Sequence, residues 1–330
     1  MCSLSAPAIG LFLTLASSVA SAPPEPELSD LVRLAEAARL ADELRAEVWP
    51  GWEATSMPVL LVTAETEFLT GFPRRVEGFA AVGHSSLLGA ELASRPRQFD
   101  PGFLATFPAF GPPALVVIGR AEATGKTSTE WVLTVLHENF HQFQMADPGY
   151  FSEVEGLDLS GGDETGMWML NYPFPYSAPE IAAEFAEVSR RLASLLEESS
   201  AGDRRRFWRE YEGFLEQLSE ADRRYFSFQV WQEGLARYVE LRVAELAADG
   251  FRSSLEFAAL PDAESHETVA RRLRAGILEE LGNPDLPNRG RVSFYAFGAG
   301  LGLLLDMDGA SWKRRYLTDK FHVERYLGEE

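Results

Sequence analysis

Two histidines four residues apart, His137 and His141, constrain the fold of this chain more than any other feature. They lie in residues 131–145, WVLTVLHENFHQFQM, a run that predicts one helix. Because positions i and i+4 project from the same helical face, both imidazoles can reach a single metal ion. Glu138 lies at the edge of that face, close enough to hold a water on the ion without ligating it. The fold must therefore bring at least one more ligand to this helix.

The surroundings of this motif indicate a buried helix. Apolar residues cover most of the helical circumference and leave one narrow polar sector, which contains the motif; they are Val132, Leu133, Val135, Leu136, Phe140 and Phe143. Residues 127–130, TSTE, form a capping box at which the helix begins. Buried polar groups need partners, and one Zn²⁺ per chain would be such a partner, with Glu138 as general base. The alternative interpretation is a surface helix with two incidental histidines.

The third ligand is expected far downstream, because catalytic zinc sites usually take three protein ligands and a water. Residues 232–236, QEGLA, are similar to the N-E-G-x-A pattern of the gluzincins, the metallopeptidase group that includes thermolysin and aminopeptidase-N-like enzymes. This resemblance implies a zincin-like fold in which Glu233 completes the site, with Glu240 as the alternative ligand. The small residues Gly234 and Ala236 are expected to let the two ligand helices approach closely. Arg237 stands where thermolysin-like enzymes place an acidic partner for a ligand histidine, so another carboxylate should replace it.

A second segment near the C-terminus also resembles these enzymes. Residues 294–298, FYAFG, and the later pair Leu305-Asp306 are similar to their Y-x-x-G…L-D segment. The resemblance implies that the hydroxyl of Tyr295 stabilises the oxyanion of the tetrahedral intermediate, an effect that contributes about 3–4 kcal/mol elsewhere. The alternative is that Tyr295 is one more aromatic residue packed in the core.

The N-terminus and the composition limit where the protein acts and what it binds. The apolar residues 9–16, followed by small residues, predict a signal peptide over residues 1–20 with cleavage after Ala20, and thus a secreted or periplasmic protein. The alternative is an N-terminal membrane anchor. The single cysteine, Cys2, lies inside that segment, so no disulfide is expected. The net charge of −20 argues against nucleic acid or an anionic membrane as partner. The sequence leaves the oligomeric state open.

Periodicity predicts a helix-rich α+β fold, with a small N-terminal β-sheet followed by a mainly helical region. Strands are expected at 58–64, 77–82 and 114–119. Helices are expected at 28–48, 179–198, 204–218, 221–247, 265–281, 293–306 and 311–318, with a loop at 149–166. Residues 21–330 would form a single domain, or two lobes over about 28–150 and 151–330.

These patterns together predict a secreted zinc hydrolase that cleaves peptide bonds of a peptide or protein substrate. Zinc would be held by His137, His141 and Glu233, and an extended substrate would pair with an edge strand at 114–119. The main alternative is a non-catalytic protein with a structural zinc site or a partner-binding surface. A zinc hydrolase of non-peptide substrates is a further alternative.

Overall fold

Valine, leucine and isoleucine fill the two central strands of the sheet, and these strands are buried on both faces. A computed structural model describes residues 24–326 of the chain. In that part, β1 (Val59–Val62) and β6 (Leu115–Gly119) pair in parallel, and every residue of both is buried. Continuous apolar runs of this kind are typical of strands covered on both sides. The predicted signal segment, with its cleavage after Ala20, lies outside the described residues.

Four further strands complete a mixed sheet around this pair. They are β2 (Thr66–Thr70), β3 (Ala80–Ser85), β4 (Ala90–Pro96) and β5 (Leu104–Phe107). The strands are ordered β3-β4-β2-β1-β6-β5, and all neighbours except β1 and β6 pair antiparallel. The interpretation of residues 114–119 as an edge strand is therefore wrong, because the short strand β5 covers the outer side of β6. On that side of the sheet, β5 is the edge.

The two faces of the sheet pack against different parts of the chain, as alternating side chains require. One face, which includes Leu61 and Ile118, joins the core that the helices form. The opposite face, which includes Leu60 and Val117, packs against a group of partly buried aromatic residues. The phenylalanines of that group are Phe72, Phe79, Phe99, Phe103, Phe107 and Phe110.

Most of the remaining described residues are helical. Helices hold 58% of residues 24–326 and strands hold 10%, which confirms the helix-rich α+β class. The α-helices are α1 (Leu28–Val48), α2 (Ala121–Thr124), α3 (Ser128–Ala146), α4 (Tyr150–Glu155), α5 (Trp168–Asn171), α6 (Pro179–Glu197), α7 (Ala201–Gln217), α8 (Glu220–Gln229), α9 (Leu235–Gly250), α10 (Leu255–Ala258), α11 (His266–Gly282), α12 (Leu286–Arg289) and α13 (Ser293–Asp306). A π-helical turn, Val230–Gly234, joins α8 to α9, and 3₁₀ turns lie at Trp52–Ala54, Gly290–Val292, Ala310–Arg315 and Val323–Arg325. No helix in the described range has the length and apolar character needed to cross a membrane.

Most predicted helices are present with bounds shifted by a few residues, but three segments differ in kind. The predicted helix at 221–247 is interrupted by the π-helical turn, and the one at 311–318 is a 3₁₀ turn at Ala310–Arg315. The predicted loop at 149–166 contains α4. The segment is rich in glycine, so its sequence did not predict a helix. Tyr150 and Val154 are nevertheless four residues apart and are buried on one helical face.

Helix α3, which carries the histidine motif, lies between the sheet and the other helices. The predicted capping box is confirmed: the side chain of Thr127 accepts from the Glu130 N–H, and the Glu130 side chain accepts from the Thr127 N–H. Further along, Nε2 of Gln142 donates to the carbonyl oxygens of Pro58 and Ala114 at 3.0 and 2.9 Å. These bonds tie α3 to the chain just before β1 and β6. The burial of most of its residues confirms that α3 is a core helix.

Candidate metal centre

Three side chains from two segments direct their ligand atoms at one another. His137 and His141 lie one turn apart on α3, and Glu233 lies in the π-helical turn between α8 and α9. The two Nε2 atoms are 3.2 Å apart. Oε2 of Glu233 lies 3.5 Å from Nε2 of His141 and 3.9 Å from Nε2 of His137. Ligands roughly 2.0–2.1 Å from a tetrahedral zinc would be separated by about 3.3 to 3.4 Å. The three atoms thus have close to the spacing that a zinc ion requires.

The charges around the two imidazoles favour a bound cation. The carboxylate of Glu138 and the ligand atoms of both histidines all lie within 4.8 Å of one another. Burial lowers the pKa of His137, but its close contacts with the carboxylates of Glu233 and Glu240 outweigh burial and raise the pKa to about 10. For Glu233, burial raises the pKa, but His141 and His137 together outweigh burial and hold the pKa well below its usual range. A cluster that stabilises positive charge in this way also suits a divalent ion, which would displace the proton.

The cluster reaches solvent on the side of Glu233. The Glu233 side chain is 22% exposed and that of His137 10% exposed. Glu138 and His141 are buried. A purely structural zinc site is closed by four protein ligands, whereas a catalytic site keeps one position open. Of the three candidate ligands, Glu233 is the most exposed to solvent.

Each imidazole has a polar partner beside its second ring nitrogen. Nδ1 of His137 lies 3.5 Å from Oε2 of Glu240, and Nδ1 of His141 lies 2.6 Å from Oε1 of Gln144. Such partners hold an imidazole in the tautomer that presents Nε2 to a metal. Glu240, the alternative ligand, thus faces the ring nitrogen that points away from the cluster. It lies where an acidic partner was expected, whereas Arg237 forms an ion pair with a glutamate of α11.

Glu138 contacts a residue that no sequence motif marks. Oγ1 of Thr106, on the edge strand β5, lies 2.8 Å from Oε2 of Glu138 and 3.0 Å from its backbone carbonyl oxygen. Within residues 24–326, no hydrogen-bond donor contacts the second carboxylate oxygen, Oε1. Thr106 therefore fixes one oxygen of Glu138 and leaves the other available. No sequence signal marks Thr106, because β5 has only four residues.

Tyr295 lies beside the cluster, on the first turn of α13. Its side chain is partly exposed, unlike those of its neighbours Phe294 and Phe297. Burial raises the pKa of Tyr295, and the charge of Glu233 raises it further. Its hydroxyl oxygen accepts a hydrogen bond from Nη1 of Arg291. The phenol of Tyr295 thus lies close enough to the Glu233 carboxylate for that charge to raise its pKa, and it keeps its proton near neutral pH.

A close contact between two glycines sets the position of Tyr295. A methyl group on Gly234 would lie 2.5 Å from Cα of Gly298, and one on Gly298 would lie 2.7 Å from the carbonyl oxygen of Val230. Real Cβ atoms do not approach backbone atoms this closely, so both positions require glycine. The expected reason for a small residue at 234 is therefore corrected. The three atoms nearest to an added methyl group on Gly234 all belong to α13, so Gly234 makes room for α13, which carries Tyr295.

We expect Gly298→Ala to lower the free energy of unfolding by about 1–3 kcal/mol, the usual cost of overpacking a core. Denaturant unfolding would measure the change. Gly276→Ala is the matched control, because Gly276 lies in α11 with no atom within 4 Å of an added methyl group. There the helix preference for alanine should stabilise the protein by up to about 1 kcal/mol. Equal stability of the two variants would contradict the tight contact at Gly298.

The structure thus brings together the three predicted ligands, His137, His141 and Glu233, and adds Thr106 and Glu240 as neighbours. Comparisons of the chain with protein-family models, with curated proteins and with solved structures found no match.

Proposed function

We propose that the chain is a zinc-dependent hydrolase of the gluzincin type, in which His137, His141 and Glu233 hold one Zn²⁺. The observation that carries this proposal is the triangle of two Nε2 atoms and one Oε2 atom with sides of 3.2, 3.5 and 3.9 Å. The buried carboxylate of Glu138 beside this triangle supports a catalytic role over a structural one. A structural zinc site has no use for a further carboxylate beside its ligands, and here one oxygen of that carboxylate accepts a hydrogen bond from Thr106.

The residues around the site have separate tasks in this reaction. Bound zinc would supply a Lewis acid that lowers the pKa of water and polarises the scissile carbonyl. Oε1 of Glu138 would accept the proton of the attacking water and pass it to the leaving amine, while Thr106 holds Oε2. The hydroxyl of Tyr295 would donate a hydrogen bond to the carbonyl oxygen as negative charge develops there. Glu240 and Gln144 would keep both imidazoles oriented.

A peptide substrate is supported by the position of the edge strand. In residues 24–326, β5 pairs only with β6, so its outer edge can add an extended peptide as a further strand. Thr106, which contacts Glu138, belongs to that strand. A peptide bound along β5 would therefore run past the general base. The apolar residues 9–16 support a site of action outside the cytoplasm, either secreted or periplasmic.

Zinc content and peptide cleavage, measured on one preparation, test this proposal. We expect about one zinc per chain and cleavage of a broad pool of unstructured peptides, because a site with three protein ligands leaves one position for water. Removal of zinc with a chelator should abolish cleavage, and added zinc should restore it. Stoichiometric zinc without cleavage of any peptide in the pool would favour the alternative, a structural zinc site.

A further inference from the structure

Arg291 has no carboxylate partner although it is partly buried. It lies in the 3₁₀ turn Gly290–Val292, directly before α13. Among the residues that the structure describes, no carboxylate oxygen lies within 4.0 Å of its nitrogens. In that part of the chain, the hydroxyl oxygen of Tyr295 is the only hydrogen-bond acceptor that the Arg291 side chain contacts. The guanidinium carbon of Arg291 lies 5.5 Å from the centre of the Tyr295 ring. Most of its five N–H donors are therefore free to bind a ligand.

Other shielded arginines of this chain are paired. Arg33, Arg95 and Arg237 each lie within 3.1 Å of a carboxylate oxygen. Charged groups that lose water without gaining a partner cost free energy, so such pairing is the rule. Arg291 departs from this pattern at a position next to the candidate metal centre. An unpaired guanidinium at such a place is typical of a ligand-binding group.

The start of α13 brings Arg291 close to the candidate metal centre, because a methyl group on Gly234, the residue after Glu233, would lie 3.1 Å from the carbonyl oxygen of Phe294. Burial lowers the pKa of Arg291, but the phenol of Tyr295 and the carboxylate of Glu233 outweigh burial and raise it. Burial raises the pKa of Tyr176 and of Tyr225, and the charge of Arg291 lowers both again in part. Arg291 therefore lies within electrostatic range of the proposed ligand Glu233 and among hydroxyl groups. Glu233 is the most exposed of the three proposed ligands.

We propose that Arg291 binds a carboxylate of the substrate close to the scissile bond. This inference rests on the proposed hydrolase function and specifies its substrate class as peptides with a carboxylate near the cleavage point. A planar guanidinium can form two parallel hydrogen bonds with a carboxylate, which fixes position as well as charge. The net charge of −20 repels acidic peptides in general, so a local cation is needed to hold one. The carboxylate can be the C-terminus of the peptide or an aspartate or glutamate side chain.

Binding to the zinc-loaded Glu138→Gln protein tests this inference without cleavage of the probe. Three pools of N-acetylated hexapeptides share the same randomised positions. The first ends in a free carboxylate, the second in an amide, and the third in an amide after a fixed glutamate. We expect one carboxylate pool to bind about 10- to 100-fold more tightly than the plain amide pool, the range for charge-assisted hydrogen bonds. The first and third pools distinguish the two sources of the carboxylate.

In the Glu138→Gln protein, Arg291→Gln should reduce the affinity advantage of the carboxylate pool over the plain amide pool to less than about threefold. Arg291→Lys should restore part of this advantage, because lysine keeps the positive charge but cannot form two parallel hydrogen bonds. Arg314→Gln is the control, since Arg314 is exposed. Zinc content and unfolding curves must match those of the parent protein. Equal binding of all pools, or an advantage that survives Arg291→Gln, would overturn the role of Arg291.

The outcome for Arg291 is separate from the outcome for the hydrolase. Wild-type protein that cleaves the pools without any preference for a carboxylate would retain the proposed function and lose the Arg291 subsite. Wild-type protein that holds zinc but cleaves none of the pools would contradict the proposed function itself, whatever the binding results.

Discussion

Replacing Glu138 by glutamine is expected to remove most of the hydrolytic activity while the zinc stays bound. Glutamine has nearly the size of glutamate, and its amide oxygen can still accept the hydrogen bond from Oγ1 of Thr106. An amide cannot take a proton from water at neutral pH, so the general base is lost. We expect kcat to fall at least about a hundredfold, within the range that general-base catalysis contributes. Cleavage of a peptide found with the wild type, followed by mass spectrometry, would measure the fall.

Glu47→Gln is the control for this experiment, because it makes the same chemical change at an exposed position of α1. It should leave both zinc content and kcat unchanged. If the Glu138→Gln protein binds zinc and cleaves as fast as the wild type, Glu138 is not the base. If it loses zinc, Glu138 contributes to metal binding, and the assignment of Glu233 as third ligand must be reconsidered.

The parts of the fold that were predicted correctly depend on local patterns. Helix α3 has apolar residues on almost every side, a capping box at its start and no glycine or proline in its interior. Each of these signals lies within one stretch of sequence, and together they determine where His137, Glu138 and His141 point. The buried strands β1 and β6 were found for the same reason, since continuous runs of branched apolar residues are recognisable without knowledge of their partners.

The parts that were missed depend on contacts between distant segments. Thr106 acquires its role only because β5 pairs with β6 and thereby comes beside Glu138, and a strand of four residues carries almost no periodic signal. The sequence also could not assign separate roles to Glu233 and Glu240. Seven residues apart, they project from nearly the same side of a helix, so the sequence could not decide between them. In the structure, Glu233 lies in the π-helical turn Val230–Gly234 and faces Nε2 of both histidines, whereas Glu240 lies on α9 and faces Nδ1 of His137.

Removing the Glu233 carboxylate is expected to release most of the zinc, because two imidazoles would remain from a set of three ligands. Zinc sites with a full set of ligands gain about 10–16 kcal/mol on binding, so one ligand of three or four contributes several kcal/mol. We therefore expect Glu233→Ala to weaken zinc binding on the order of a thousandfold. Competition with a chelator of known affinity would measure this change, and a protein that stays folded in the absence of zinc would show that the effect is local.

Glu240→Ala provides the matched comparison, since it removes a carboxylate that is 3.5 Å from Nδ1 of His137. Loss of a partner that only orients a ligand histidine typically costs 10- to 100-fold in metal affinity, so this variant should retain zinc under conditions in which Glu233→Ala does not. Two outcomes would reverse the assignment. If Glu240→Ala releases more zinc than Glu233→Ala, Glu240 is the ligand and the metal binds at Nδ1 of His137. If neither change weakens binding, the ion is held without a carboxylate from this part of the chain, and the triangle of ligand atoms is not the metal site.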